Sequence, residues 1–182
     1  MIYLRKGDEG KTDLLGGKRV FKNNPKIDLL GDLDELNSFL GLCRFVLSKD
    51  DFYFMNQPIT MTLYGVQKKI FTIQSMIAGS SKNISQKDIE KLEEFIDLAE
   101  KEIPPMLSFV TPGASEASAF VDVARTVTRR VERKIIDLVI NNEMSVDGEV
   151  KVYINRLSDF LFVLARLINH KFGIKEEYQK SD

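Results

Sequence analysis

The chain has 182 residues, of which 43% are hydrophobic and 29% charged, and a formal net charge of −1. That composition suits one domain with an ordinary apolar core and excludes a disordered chain. A near-neutral balance gives no global attraction to nucleic acid or an anionic bilayer, so any anion-binding surface must be a local cluster. The first ten residues lack the apolar run of a signal peptide, and no later segment approaches a membrane span. The expected compartment is the cytoplasm, with no membrane or nucleic-acid partner.

Residues 1–27 carry Gly7, Gly10, Gly16, Gly17 and Pro25 among many charges, and read as an irregular polar segment. From residue 32 the pattern is helical. Asp32 with Glu35 resembles a capping box, after which Leu36, Leu40, Cys43 and Leu47 share a face. A second helix places Leu63, Val66, Ile70, Ile73 and Ile77 on one stripe, and Gly79 stops it. Ser85 with Asp88 opens a third, which runs through Ile89, Leu92, Ile96 and Ala99 until Pro104-Pro105. After the loop SFVTPGAS comes a helix of about 25 residues with a stripe of Ala124, Val127, Val131, Ile135 and Leu138. The last helix runs from Val150 to Phe172, capped by Gly173. The expected class is all-α: a five-helix antiparallel bundle (28–182) behind a glycine-rich N-terminal segment (1–27).

The last helix is apolar over most of its circumference. Ile154, Leu157, Leu161, Leu164 and Ile168 make a core stripe, while Phe160, Phe162 and Val163 lie outside it. Asn155, Asp159 and Arg166 form a narrow polar strip between them. Such a helix has neighbours on two sides. The second is either another subunit or another helix of the same chain.

One cysteine, Cys43, excludes an internal disulfide and a cysteine-based zinc site; one histidine, His170, excludes multi-histidine metal sites and di-iron bundles. Cys43 reads as a core filler and His170 as a cation at a helix C-terminus. Gly10-Lys11-Thr12 is not a phosphate-binding P-loop, because Arg5 stands where that motif needs glycine. The segment's backbone amides, with Arg5, Lys6 and Lys22, still suit a polyphosphate; a solvated arm is the alternative. Arg125, Arg129 and Glu132 project on one flank of the fourth helix, beside its core stripe. Clustered guanidinium groups need carboxylates or an anionic ligand to answer them, so ordinary salt bridges and a phosphate site are both open. Asp34 sits where the sequence reads as a helix start, a favourable place for a carboxylate. Asn155 and Asp159 are poor mid-helix residues unless they bond something.

Together these segments resemble the PduO-type ATP:corrinoid adenosyltransferases over almost the whole chain. Lys6-Gly7-Asp8-Glu9-Gly10-Lys11-Thr12 is similar to that family's GDxGxT segment, followed by Lys22 in Phe-Lys-Asn-Asn-Pro. Gly31-Asp-Leu-Asp-Glu-Leu-Asn37 resembles its DELN motif. Ala124 to Arg133 resembles its ARTxxRRxER helix, and Tyr153 to Asp159 its NRLSD helix. The resemblance implies a homotrimer with ATP sites between subunits, in which cob(I)alamin attacks C5′ of ATP to give adenosylcobalamin and triphosphate. It implies that Arg5, Lys6, Gly7, Thr12, Asp13 and Lys22 wrap ATP, together with Leu4, which replaces a usual threonine. Arg129, Arg130, Glu132, Arg133 and Asn155 would complete that site. Asp34 and Arg125 match a pair joining subunits near the corrinoid, and Phe109 the aromatic beneath the corrin. The catalytic set implied is Arg129, Asp34, Arg125 and Phe109.

The resemblance assigns no metal to protein side chains, leaving Mg²⁺ on the ATP phosphates. It implies a cob(II)alamin reductase and a B12-dependent acceptor enzyme as partners. Since the nucleophile is the substrate's cobalt, no activated Ser, Cys or His is required. Ala114 and Asp122 are further departures, standing where the family usually has glycine and histidine. The alternative reading is a non-catalytic trimeric carrier or regulator that binds ATP or corrinoid.

Overall fold

The computed structural model describes residues 5–106 and 108–179. Five helices carry the fold: α1 (Pro25–Leu47), α2 (Ile59–Ile77), α3 (Gln86–Glu102), α4 (Glu116–Ile140) and α5 (Gly148–Lys171). Leu4 falls outside the described residues.

The first helix begins upstream of the expected start. Asn24 is its cap, accepting from the Lys26 amide at 3.0 Å, and Pro25 fills the first helical position with a preset φ. Asp32 and Glu35 therefore cap nothing. They lie inside the helix and face α4, where Arg130 pairs with both and Lys134 pairs with Asp28 and Asp32 at 2.6 Å. Burial favours the neutral amine of Lys134, but the two carboxylates more than reverse this and hold its pKa above the usual lysine value.

The other signals hold. Ser85 and Asp88 form a reciprocal capping box on α3. That helix ends at Glu102, before the two prolines. Gly173 takes φ 64° just past α5, and the Ile174 amide reaches back to the Asn169 carbonyl at 2.8 Å. Each apolar stripe read from the sequence is buried, except that Ile96 on α3 is only partly covered. Two small hairpins escaped the sequence reading. β1 (Lys11–Asp13) pairs with β2 (Arg19–Phe21) inside the glycine-rich segment, and β3 (Tyr53–Phe54) with β4 (Gln57–Pro58) between α1 and α2. Gly16 and Gly17, both at positive φ, make the first turn possible.

The helices pack in the order α2–α1–α4–α5–α3. The ends of that series, α2 and α3, meet through the Lys69–Asp88 ion pair at 2.8 Å. Contacts such as Asp28 with Lys134 and Asn37 with Gln67 make neighbours antiparallel. The exception is α3 beside α5: Glu93 meets Arg156 and Glu102 meets Lys171, so the two run the same way. A closed circuit of five helices cannot alternate throughout, and this pair absorbs the mismatch.

The broad apolar surface of α5 has an intrachain cause. One side packs on α4, the other on α3, where Phe160 meets Phe95 edge-on with ring centroids 4.6 Å apart.

Candidate functional site

Because α3 and α4 flank α5 without packing on each other, a groove opens between them. It forms a cleft of about 560 Å³. One wall, from α3, presents Glu93, Ile96, Asp97 and Glu100; the other, from α4, presents Arg125 and Arg129. The floor is α5, with Arg156, Ser158, Asp159, Phe162 and Val163. Arg125 and Arg129 are one helical turn apart, which is why both reach the same groove.

The three arginines are not equivalent. Arg125 is held by Asp122 one turn earlier, Nε to Oδ1 at 3.0 Å, and its guanidinium lies 5.9 Å from the Phe162 ring centroid. Arg156 is held by Glu93 and by Asp159, both at 3.0 Å. Arg129 is exposed and makes no ion pair or hydrogen bond among the described residues. It is the arginine of the cleft left available for an anion. Arg130, its sequence neighbour, points away to the α1 seam. The two belong to different structures although adjacent in the chain.

Asn155 donates to Glu132 Oε1 at 2.8 Å, which joins α5 to α4 next to the cleft. Arg133 is exposed on the same helix. The mid-helix polar residues of α5 are thus each bonded, as such residues require: Asn155 to Glu132, Asp159 to Arg156, and Arg166 to Glu176.

Phe109 lies on the loop between α3 and α4. Its side chain is 81% exposed, so it is not a cap on the core. Adjoining residues Val110, Thr111 and Gly113 share a smaller cavity with Asp122, Arg125 and Phe162, next to the main cleft. The backbone here is fixed by a bridge between Val110 and Tyr178 of the C-terminal tail.

The N-terminal candidates form a second group. Arg5 takes φ 56°. The Lys6 carbonyl accepts from Arg19 at 2.5 Å, and Asp13 lies 4.0 Å from Arg19 across the hairpin. Thr12 pairs with Val20 in the ladder. The Lys22 amide bonds the Gly10 carbonyl at 2.8 Å, which folds its side chain back over Gly7; a Cβ on Gly7 would lie 3.3 Å from Lys22 Nζ. None of these residues lines the helical cleft of its own chain. Asp34 is exposed on α1 and has no partner among the described residues; the Asp34–Arg125 pair is not made within one chain.

Some cleft residues were not singled out from the sequence. Glu93, Asp97 and Glu100 follow helical spacing on α3, which marks a polar flank, but only the packing of α3 on α5 turns that flank toward the arginines. Cys43 and His170 stay outside the site. Burial pushes the Cys43 thiol up to about 12, which keeps it protonated and inert. Among the described residues, no group of three or more His, Cys, Asp or Glu side chains could hold a metal ion. No helix there is long and apolar enough to cross a membrane.

The chain is similar to known proteins over most of its length. The corrinoid adenosyltransferase PduO of Citrobacter freundii is 38% identical over 169 residues, 93% of this chain and 50% of that protein. The chain therefore spans about half the length of the PduO proteins it matches. The corrinoid adenosyltransferase of Bacillus subtilis is 34% identical, covering 99% of this chain and 93% of its own length. Among solved structures, a phenylalanine-to-alanine variant of the PduO-type ATP:corrinoid adenosyltransferase from Lactobacillus reuteri, complexed with cobalamin and ATP, superposes with a TM-score of 0.89. It is 29% identical, with 100% of both chains covered. The family profile described as cobalamin adenosyltransferase matches residues 2–168, and the chain belongs to that family.

Proposed function

We propose that the protein transfers the 5′-deoxyadenosyl group of ATP to the cobalt of cob(I)alamin. The carbon–cobalt bond forms as the bond from C5′ to the triphosphate oxygen breaks, and triphosphate leaves with its electron pair. The observation that carries this reading is the state of Arg129. It stands in a half-apolar cleft without a carboxylate partner, while Arg125 and Arg156 beside it are paired. A preorganised cation aimed at the leaving group is what a triphosphate departure needs.

The remaining residues take positions around that step. Arg133, one turn beyond Arg129, and Asn155 held by Glu132 would complete the site, whereas Arg130, engaged by Asp32 and Glu35, would hold α4 against α1. Residues 1–27 would wrap ATP, with Lys22 folded over Gly7 as a phosphate contact. Since these residues do not line the cleft of their own chain, a neighbouring subunit would supply them, as in a homotrimer with Asp34 and Arg125 paired across the boundary. Mg²⁺ would ride on the ATP phosphates, whose oxygens are the hard donors it prefers. Phe109, exposed on the loop whose next residues share a cavity with Arg125 and Phe162, would face the corrin and exclude a lower axial ligand. A cytoplasmic setting, a cob(II)alamin reductase upstream and a B12-dependent acceptor downstream fit the same reading.

The test is anaerobic incubation with Mg-ATP and chemically reduced cobalamin. Light-sensitive adenosylcobalamin and triphosphate should appear together. Folded protein giving no product above the uncatalysed background would leave a binding or carrier role instead.

A further inference from the structure

The C-terminal tail, residues 174–179, lies outside every motif read from the sequence, yet it holds the loop that carries Phe109. Three backbone or side-chain bonds join them. The Thr111 amide donates to the Glu177 carbonyl at 2.7 Å, and the Gln179 amide to the Phe109 carbonyl at 2.8 Å. The Ser108 hydroxyl donates to the Gln179 carbonyl at 2.8 Å. The Phe109 ring is solvent-exposed and anchors nothing. Its position is therefore set by the backbone, and the backbone by the tail.

The tail in turn is tied to α5 through the Ile174 amide at its start and then through Glu176, which Asn169 Nδ2 reaches at 3.5 Å. Arg166 Nε donates to Glu176 Oε2 at 3.2 Å, and these side chains are only 6% and 10% exposed. The Tyr178 hydroxyl donates to the same carboxylate oxygen at 3.1 Å. A second nitrogen of Arg166 donates to the Pro104 carbonyl at 2.9 Å, at the other end of the loop. One buried guanidinium thus grips both the start of the loop and the strand of tail paired with its middle. A buried ion pair is an expensive way to gain stability, since desolvation offsets most of the attraction; its better-attested use is to fix one arrangement among several.

We infer that Arg166 and Glu176 are positioning residues that clasp the tail onto α5 and thereby hold Phe109 in place beside the cleft. The inference rests on the reading of Phe109 as the residue facing the corrin. It assigns to two residues remote from the transferred group a specific part in preparing the cobalt.

Two measurements on Glu176→Gln test it, with Arg166→Met and Arg166→Lys as companions. Amide exchange at Thr111 and Gln179 should accelerate about tenfold or more in Glu176→Gln, while core amides of α5 keep their protection. Turnover should then fall about tenfold further when cob(II)alamin must first be reduced than when cob(I)alamin is supplied, with KM for ATP unchanged. Adding Glu176→Gln to Phe109→Ala should cause no further loss, because the clasp acts only through the ring. Arg166→Lys should recover part of the effect of Arg166→Met. Unchanged exchange would overturn the clasp. Faster exchange with an unaltered cob(II)/cob(I) ratio would overturn the positioning role while leaving the enzyme reading intact. An unaltered chain that makes no product at all would remove the enzyme reading itself, and the positioning role with it.

Discussion

Arg129 and Arg130 are adjacent in sequence and chemically identical, so the contrast between them isolates what location does. Arg130 reaches Asp32 and Glu35 on α1, whereas Arg129 reaches only the cleft. Arg129→Ala should lower turnover by about two to three orders of magnitude, the usual effect of removing one preorganised donor from a developing anion. Its melting curve should match that of the unaltered protein, because no ion pair is lost. Arg130→Ala should do the reverse in a melt, loosening α1 from α4, by an amount tempered by partial exposure of its side chain. Near-normal kinetics for Arg129→Ala in a single-turnover assay would make it a surface charge only.

At the scale of elements, the weakest join in the circuit is between α2 and α3. Their main polar link is the Lys69–Asp88 pair, and Asp88 also serves the capping box of α3. Burial alone would raise the Asp88 pKa. Hydrogen bonds from Lys69 and from the Ser85 amide and hydroxyl, together with the Lys69 charge, outweigh it and hold the carboxyl below its ordinary value of 3.8. A depressed carboxyl contributes stability that is fully present above the unfolded-state pKa. That contribution is lost as pH falls through the lower folded-state value. Asp88→Asn should therefore cost about 1–3 kcal/mol at neutral pH, the usual cost of leaving buried polar groups unpaired. The difference from the unaltered protein should shrink as denaturant melts are taken below about pH 4. A difference independent of pH would show that the charge is irrelevant and only the cap matters.

At the scale of the whole molecule, the candidate residues fall into two groups that one chain does not bring together. The helical cleft holds Arg125 and Arg129, while the hairpin segment holds Lys22 and Gly7, and Asp34 stands alone on α1. Sedimentation should give the mass of three chains. Asp34→Asn and Arg125→Ala should each be impaired, and mixing the two after reversible dissociation should restore activity. In random hybrids about a quarter of the boundaries combine an intact Asp34 with an intact Arg125. A monomeric mass, or no recovery on mixing, would remove the pair. Here Asp122 matters: it already occupies one edge of Arg125, so the guanidinium would have to bridge two carboxylates through separate nitrogens.

Helix identity, most helix ends and the buried stripes were legible in the sequence, because they depend on spacing and capping within a few residues. So was the candidate chemistry, carried by four ordered motifs. The start of α1 was misread because Asp32 and Glu35 mimic a cap locally, while their partners Arg130 and Lys134 lie about a hundred residues away. The wide apolar surface of α5 left two explanations open, and packing decided for α3 through Phe95 and Phe160. Helical spacing puts Arg129 on a flank with Arg125, but nothing local says that this flank opens on a cleft or marks Glu176 as a partner of Arg166. Those assignments depend on which helix lies beside which, and that is set by burial of the whole apolar surface at once rather than by any single segment.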